Sequence, residues 1–258
     1  MKSSCRRTMC IAGAGMLMSF LMLQCANGEV NAVQLYGPTA PEEYLSGRFD
    51  PQQHTLFVKL SDKGIPGDRP HYLRGDTAAA LKKMYTALKK DLPGVKFWVQ
   101  SSTRNWFSQK LIWERKWELY RKRNPRLSDR EIALLILRYS SMPGTSRHHW
   151  GTDFDINILS NDYYRTGDGK KLYTWLCANA ANFGFCQPYS AGRDAGYAEE
   201  RWHWSYMPVA AELQRQWNSY FRKEPSRMMG GYSFRGSRAA AGFAPLYVNS
   251  IGGGCAGE

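Results

Sequence analysis

The sequence predicts an α+β fold in which helices pack against a small, mostly antiparallel sheet within a single domain. Apolar residues recur at helical spacing in several segments, whereas polar and apolar residues alternate at 95–99 and 153–159, as in half-buried strands. A chain of 258 residues, of which 43% are hydrophobic, can bury one core of ordinary size. We therefore expect one folded domain with terminal segments of different character.

Residues 1–32 have the pattern of a signal peptide. Lys2, Arg6 and Arg7 precede an apolar run at 9–25, which is shorter than the roughly 20 residues needed to span a bilayer. Small residues before and at Ala32 predict cleavage there. We therefore expect an exported protein of the periplasm or cell envelope.

Two alternatives for this segment remain open. Cleavage could instead follow Gly28. Cys25 could carry a lipid that anchors the protein in the membrane, although Gln24 lies where a small residue normally precedes such a cysteine.

The basic composition bears on possible partners. A net charge of +13 favours an anionic surface such as a cell wall or a membrane. Nucleic acid is the alternative, but no nucleic-acid-binding motif accompanies the basic residues of 104–138, and export argues against that partner. We expect no binding to nucleic acid.

The predicted elements follow in chain order. Residues 33–75 are rich in Pro, Gly and Asp and are interpreted as an irregular extension laid over the core. The domain itself is expected at 76–222. Its predicted elements are a helix that Asp76 caps and that ends near Leu92, a strand at 95–99, a charged helix at 105–123, a helix opened by the capping box Ser128–Glu131, a strand at 153–159, a helix at 170–183, a strand around 202–204 and a last helix at 208–221.

The last segment of the chain, 223–258, is dominated by Gly, Ser and Ala without periodicity. Such composition is typical of chain that does not pack into a core. We therefore expect a disordered tail.

Three cysteines remain after removal of the signal peptide. Cys177 and Cys186 are too widely spaced for a Cys-x-x-Cys metal site and lack a second pair. In an oxidising compartment we expect a disulfide between them, with two buried thiols as the alternative. Cys255 is left without a partner.

A first group of polar residues precedes and occupies the strand predicted at 153–159. His148 lies on a loop seven residues before Asp155, and strand periodicity puts Asp153, Asp155 and Asn157 on one face of the sheet. Two carboxylates on one face would repel each other unless a cation or hydrogen-bond donors lay between them. A metal ion would supply that cation.

A second group lies at Glu200–Trp204. Alternation turns His203 away from Trp202 and Trp204, so that the imidazole faces a site while the two indoles anchor the strand in the core. Two histidines and one aspartate leave a fourth position for water, as in catalytic zinc sites. Glu200, three residues before the last ligand, is the candidate base for that water.

These two groups resemble the D-Ala-D-Ala carboxypeptidase and VanY family of zinc peptidases. The family pattern is S-x-H-x-x-G-x-A-x-D followed by E-x-x-H, and the matching residues are Ser146, His148, Gly151, Asp155, Glu200 and His203. The resemblance covers roughly 76–210 and implies one zinc ion per chain, held by His148, Asp155 and His203, with Glu200 as the acid and base. Asp153 departs from the pattern, which has alanine there.

The resemblance also implies an arginine that contacts the substrate. The stretch from Ser101 to Gln109 follows the strand of 95–99, and Arg104 in it is expected to bind a terminal carboxylate or an oxyanion. Gln109 and Ser146 are further candidates for substrate binding, although Ser146 could instead fix its loop. His149 is expected either to support the neighbouring ligand or to be exposed, and His54 and His71 are expected to have no role in the site.

The function that these residues predict is hydrolysis of the C-terminal D-Ala bond of a peptidoglycan stem peptide. The sequence does not distinguish DD from LD bonds. One alternative is a non-haem iron oxygenase, which also uses two histidines and a carboxylate but gives Glu200 no role. The other is a non-catalytic metal-binding interaction module on the same scaffold.

Overall fold

The computed structural model of the chain describes residues 32–255. The predicted signal peptide therefore lies outside the described residues, apart from Ala32. Within them, none of the helices has both the length and the apolar character required to cross a membrane. The elements in chain order are α1 Ala32–Tyr36, α2 Pro41–Leu45, β1 Phe57–Lys59, β2 Tyr72–Arg74, α3 Gly75–Asp91, β3 Val99–Ser101, α4 Trp106–Arg123, α5 Asp129–Leu137, β4 Asp153–Ile156, α6 Gly167–Asn179, β5 Phe185–Cys186, β6 His203–Tyr206, α7 Met207–Lys223, α8 Pro225–Met228, α9 Ser237–Ala240 and α10 Ala244–Asn249.

A four-stranded antiparallel sheet lies at the centre of the fold, with strand order β3-β4-β6-β5. The register of β4 and β6 sets Asp155 opposite His203 and Asp153 opposite Ser205. Helices surround this sheet, and the α+β prediction is confirmed. The short strand β5 was not predicted, because two residues are too few for a periodic pattern.

One face of the sheet packs into an apolar core. Phe154 and Ile156 of β4 are fully buried there, together with Trp202 and Trp204. Leu172 of α6 and Leu81 of α3 belong to the same cluster. Since successive residues of a strand point to opposite faces, Asp155 and His203 are directed away from this core.

At the helix starts, the predicted capping box of α5 is confirmed, whereas the predicted Asp76 cap of α3 is wrong. The side chain of Asn105 accepts a hydrogen bond from Ser108 N at the start of α4, and the capping box of Ser128 and Glu131 is formed at the start of α5. The helix predicted from Asp76 begins at Gly75, so Asp76 is not its cap. The first central strand is displaced from the predicted 95–99 to β3.

The N-terminal extension contains more structure than predicted. Between residues 33 and 75, β1 and β2 form an antiparallel pair, and α1 and α2 pack near it. The segment is held to the domain at Trp150, whose carbonyl accepts from the Tyr44 hydroxyl at 2.9 Å and whose indole nitrogen donates to the Leu45 carbonyl at 3.1 Å.

The prediction of a disordered tail is wrong. Residues 223–255 form α8, α9 and α10, and they place Met228, Phe234 and Val248 in a second apolar core with Trp217 of α7. The Trp113 indole nitrogen donates to the Arg235 carbonyl at 2.8 Å. The apolar residues of the tail are too sparse to produce a period, and their burial depends on partners more than a hundred residues away.

The predicted disulfide between Cys177 and Cys186 is also wrong. Cys186 is bonded to Cys255, with a Cα–Cα distance of 5.5 Å across a sequence separation of 69, and Cys177 is an exposed free thiol on α6. The error follows from the tail prediction, because a disordered tail gave Cys255 no position near β5. The bond fastens the end of the chain to the central sheet.

We predict that replacing Cys186 or Cys255 by Ser lowers the free energy of unfolding by about 2–4 kcal/mol, because either change releases a long loop in the unfolded chain. Cys177→Ser is the matched control and should change it by less than about 0.5 kcal/mol. Denaturant unfolding measures both. Peptide mapping should show Cys177 alkylated without reduction, and a Cys177–Cys186 peptide would contradict this pairing.

Candidate metal centre and active site

The structure brings His148, Asp155 and His203 together at one buried point. His148 lies on a 3-10 turn at Arg147–Trp150, Asp155 on β4 and His203 on β6. One ligand atom from each lies within 4.8 Å of the others. His148 Nε2 is 3.3 Å from Asp155 Oδ2, and His203 Nδ1 is 3.0 Å from Asp155 Oδ1.

Hydrogen bonds on the far side of each ring set its tautomer. The Nδ1 of His148 is 2.8 Å from the Ser102 carbonyl, which can only accept, so Nδ1 carries the proton and Nε2 is free to bind a metal. The Nε2 of His203 is 3.0 Å from Asp153 Oδ1, so its Nδ1 is free. Asp155 Oδ1 is buried without a hydrogen-bond partner, as expected of a ligand atom.

The ionisation states also suit a cation. Burial, with a contribution from Arg104, lowers the pKa of His148 to about 4, so its imidazole is neutral. Burial would raise the pKa of Asp155, but His148 and His203 outweigh it and hold that pKa below its usual value. Burial likewise opposes charge on His203, yet the neighbouring carboxylates of Asp153 and Asp155 raise its pKa to about 9. A metal ion would replace the proton that these carboxylates stabilise.

Asp153 contacts the His203 ring at Nε2, on the side away from the nitrogen that would bind a metal. Its carboxylate is fully buried and pairs with Arg147, whose Nε is 3.0 Å from Asp153 Oδ1. Thr152 and Ser205 donate to Oδ2 at 2.6 and 3.0 Å. The sequence predicted a metal ion between the two carboxylates of this strand face. For Asp153 this prediction is wrong, because the Arg147 guanidinium supplies the positive charge beside that carboxylate.

Glu200 reaches the same point from outside the strand. The chain turns between Glu200 and His203, whose backbone N–H donates to the Glu200 carbonyl at 3.2 Å, and β6 begins only at His203. Glu200 Oε2 consequently lies 3.8 Å from His203 Nδ1. Burial, joined by Asp155, raises the pKa of Glu200 to about 8 against the opposing effects of His203 and Arg104. A cation held by the three ligands would lower this pKa again, toward the range in which the carboxylate accepts a proton at neutral pH.

A cleft of about 620 Å³ opens over these residues. Arg104 projects into it from the segment after β3, with its Nε buried and without a hydrogen-bond partner. The Tyr189 ring packs against the His203 ring at a centroid distance of 4.6 Å. The other residues that line the cleft include Ile112, Lys116, Tyr139, Ser140, Ser141, Leu159, Ser160, Asn161, Asp162, Arg165, Tyr197 and Trp202.

The two further candidates for substrate binding do not line the cleft. Gln109 is fully buried, and its amide donates to the Ser141 carbonyl at 2.7 Å. Its predicted contact with substrate is therefore wrong, because it faces the junction of α4 with the segment after α5. Ser146 is 1% exposed, and its hydroxyl has no hydrogen-bond partner among residues 32–255. Its position is that of a loop residue before the turn carrying His148.

Sequence reasoning missed the residues that support the ligands. The Ser102 carbonyl accepts from His148, and the Ser102 hydroxyl oxygen is 3.0 Å from His71 Nδ1. On the other side of that ring, His71 Nε2 is 2.7 Å from Asp68 Oδ1. Of the two alternatives for His149, exposure is wrong, because its ring is buried with Nδ1 2.7 Å from the Arg104 carbonyl. These contacts join segments far apart in the chain, so no local pattern could reveal them.

We predict that Asp153→Asn lowers metal affinity by about 10–100-fold, because the neutral amide is a weaker acceptor for His203 Nε2 and no longer raises the basicity of Nδ1. Arg147 would also be left buried without its counter-charge, which lowers the stability of the fold. Asp162→Asn is the control, since Asp162 is an exposed carboxylate on the cleft rim. Competition with a metal-binding dye measures the affinity, and equal values for both variants would contradict the role given to Asp153.

Comparisons with known proteins identify a matching family model and several relatives of the chain. The family model described as VanY: D-alanyl-D-alanine carboxypeptidase matches residues 70–209, more than half of the chain. YodJ of Bacillus subtilis, named as a carboxypeptidase, is 30% identical over 165 residues, which cover 59% of this chain and 54% of YodJ. A D-alanyl-D-alanine carboxypeptidase of Enterococcus faecalis is 34% identical over 73 residues, covering 28% of this chain and 26% of that protein.

The chain thus spans about half of YodJ and about a quarter of the Enterococcus protein. Among solved structures, the LdcB LD-carboxypeptidase superposes with a TM-score of 0.49 at 23% identity, over 71% of this chain and 87% of that one. Residues 70–209 contain the whole cluster of Arg104, His148, Asp155, Glu200 and His203. The chain belongs to the VanY family of D-alanyl-D-alanine carboxypeptidases.

Proposed function

We propose that the protein is a zinc-dependent carboxypeptidase that hydrolyses the C-terminal D-Ala bond of peptidoglycan stem peptides, of DD or LD stereochemistry. The observation that carries this proposal is the position of Glu200 within 3.8 Å of a buried His148–Asp155–His203 cluster that borders a cleft. Membership of the VanY family supports the substrate class. Export by residues 1–32 would bring the protein to the compartment that contains such peptides.

The donor set favours zinc over other metals. Two imidazole nitrogens and one carboxylate are ligands that zinc accepts, and three protein ligands leave room for a reacting molecule. We assign one zinc ion to each chain, at His148 Nε2, Asp155 and His203 Nδ1. When bound, the ion would polarise a carbonyl oxygen and acidify water.

The side chains around the ligands divide the remaining tasks. Glu200 takes a proton from the attacking water and returns it to the leaving amine, a role that suits its position 3.8 Å from His203 Nδ1 at the border of the cleft. Arg104 presents donors that suit the terminal carboxylate of the substrate or the oxyanion at the scissile carbonyl. Tyr189 closes the wall of the cleft behind His203 and keeps bulk water from that side.

The function is tested by incubating zinc-loaded protein with stem peptides that end in D-Ala-D-Ala or in a single D-Ala, and by reading the products by mass. We expect loss of one D-alanine from at least one peptide, no loss after chelation, and recovery when one equivalent of zinc is returned. Activity that only iron restores would favour the oxygenase, and zinc binding without any cleavage would favour an interaction module.

Glu200→Gln separates metal binding from turnover. The amide keeps the shape of the side chain but cannot take a proton, so we predict that zinc content is retained while kcat falls by about 10²–10⁴-fold. Glu199→Gln is the matched control, because Glu199 pairs with Arg201 at 2.9 Å and does not line the cleft. A Glu200→Gln protein that holds zinc and cleaves at the parent rate would refute the assignment of the base.

A further inference from the structure

We propose that Lys116 selects peptides that carry a second free carboxylate besides the C-terminal one. The inference rests on the proposed function and defines the substrate class of the same cleft more narrowly. Lys116 lies on α4, where Ile112 and Lys116 are four residues apart and line the cleft, while Trp113 and Trp117 turn into the core. The helix therefore presents the ammonium group to whatever occupies the cleft.

Lys116 has a free capacity to donate hydrogen bonds. Its Nζ donates to Ser140 Oγ at 2.6 Å, and an ammonium group has two more protons to give. No carboxylate among residues 32–255 forms an ion pair with Lys116. The side chain is half-buried, so the charge is only partly compensated by water.

The charges that line the cleft indicate that this ammonium group would bind an anionic group of the substrate. Asp162 and Arg165 at the rim pair with each other at 3.0 Å. Among the remaining lining residues, the charges of Arg104 and Lys116 oppose those of Asp155 and Glu200, so a bound divalent metal ion would leave an excess of at least two positive charges even with Glu200 ionised. One substrate carboxylate neutralises one of them, and a second carboxylate neutralises the other.

The chemistry of stem peptides offers two sources for that second carboxylate. One is the free α-carboxylate of a γ-linked glutamate, and the other is the side-chain carboxylate of a diaminodicarboxylic acid. Either becomes neutral when it is amidated. A peptide set in which each of these groups is amidated in turn therefore distinguishes the two sources without changing peptide length.

The rival interpretations of Lys116 make different predictions. If Lys116 only holds α4 to Ser140, its loss lowers the stability of the fold and weakens the binding of every peptide by the same factor. If Lys116 shares the terminal carboxylate with Arg104, its loss again weakens every peptide equally. Only recognition of a second carboxylate makes the effect of the substitution depend on amidation.

The experiment measures peptide binding by calorimetry to zinc-loaded Glu200→Gln protein, which should consume the peptide at least about 10²-fold more slowly than the parent protein. With Lys116 intact, we expect amidation of one of the two carboxylates to weaken binding by about 10-fold, the share of one charge-assisted contact at a half-buried site. Lys116→Met in the same background should weaken binding of the free acid by a similar factor and leave that amide unchanged. Lys116→Arg should retain most of the discrimination.

The control is Lys122→Met, which removes the same charge from an exposed position of the same helix and should have no effect on discrimination. The proposal is overturned if neither amidation weakens binding to the protein with Lys116, or if Lys116→Met weakens acid and amide alike. Failure of the proposed function is a separate result, because it would appear as absence of cleavage of every peptide by the protein with Glu200 intact.

Discussion

The antiparallel pairing of β4 with β6 is the interaction on which the site depends. Its register sets Asp155 opposite His203 and turns both away from the apolar core that Phe154 and Trp204 fill on the other face. A shift of one residue would exchange these faces and bury the carboxylate against aromatic rings. The apolar face thus fixes the polar one, and the position of the candidate ligands is a consequence of core packing.

Burying so many charged groups is costly unless each has a partner. The structure meets this requirement with a chain of contacts in which Arg147 pairs with Asp153, and Asp153 accepts from His203. On the opposite side Ser102 accepts from His148. The groups left without hydrogen-bond partners include Asp155 Oδ1 and Arg104 Nε, which are the atoms assigned to metal and substrate.

Features that depend on neighbouring residues in the sequence could be predicted, whereas features that depend on contacts between distant segments could not. The fold class, the capping box of α5 and the family motifs are local patterns and were identified. The pairing of Cys186 with Cys255, the burial of Gln109 against Ser141 and the guanidinium beside Asp153 depend on segments that meet only in the folded chain. Asp153 and Asp155 have the same strand periodicity, so only the tertiary position of Arg147 gives them different roles.

The most direct test of this account is anomalous X-ray diffraction from crystals of the zinc-loaded protein, recorded on both sides of the zinc absorption edge. The account predicts one peak per chain, bounded by His148 Nε2, an Asp155 carboxylate oxygen and His203 Nδ1, with Glu200 near it but outside the ligand set. No peak at that point, or a peak whose ligands include Asp153 in place of Asp155, would contradict it.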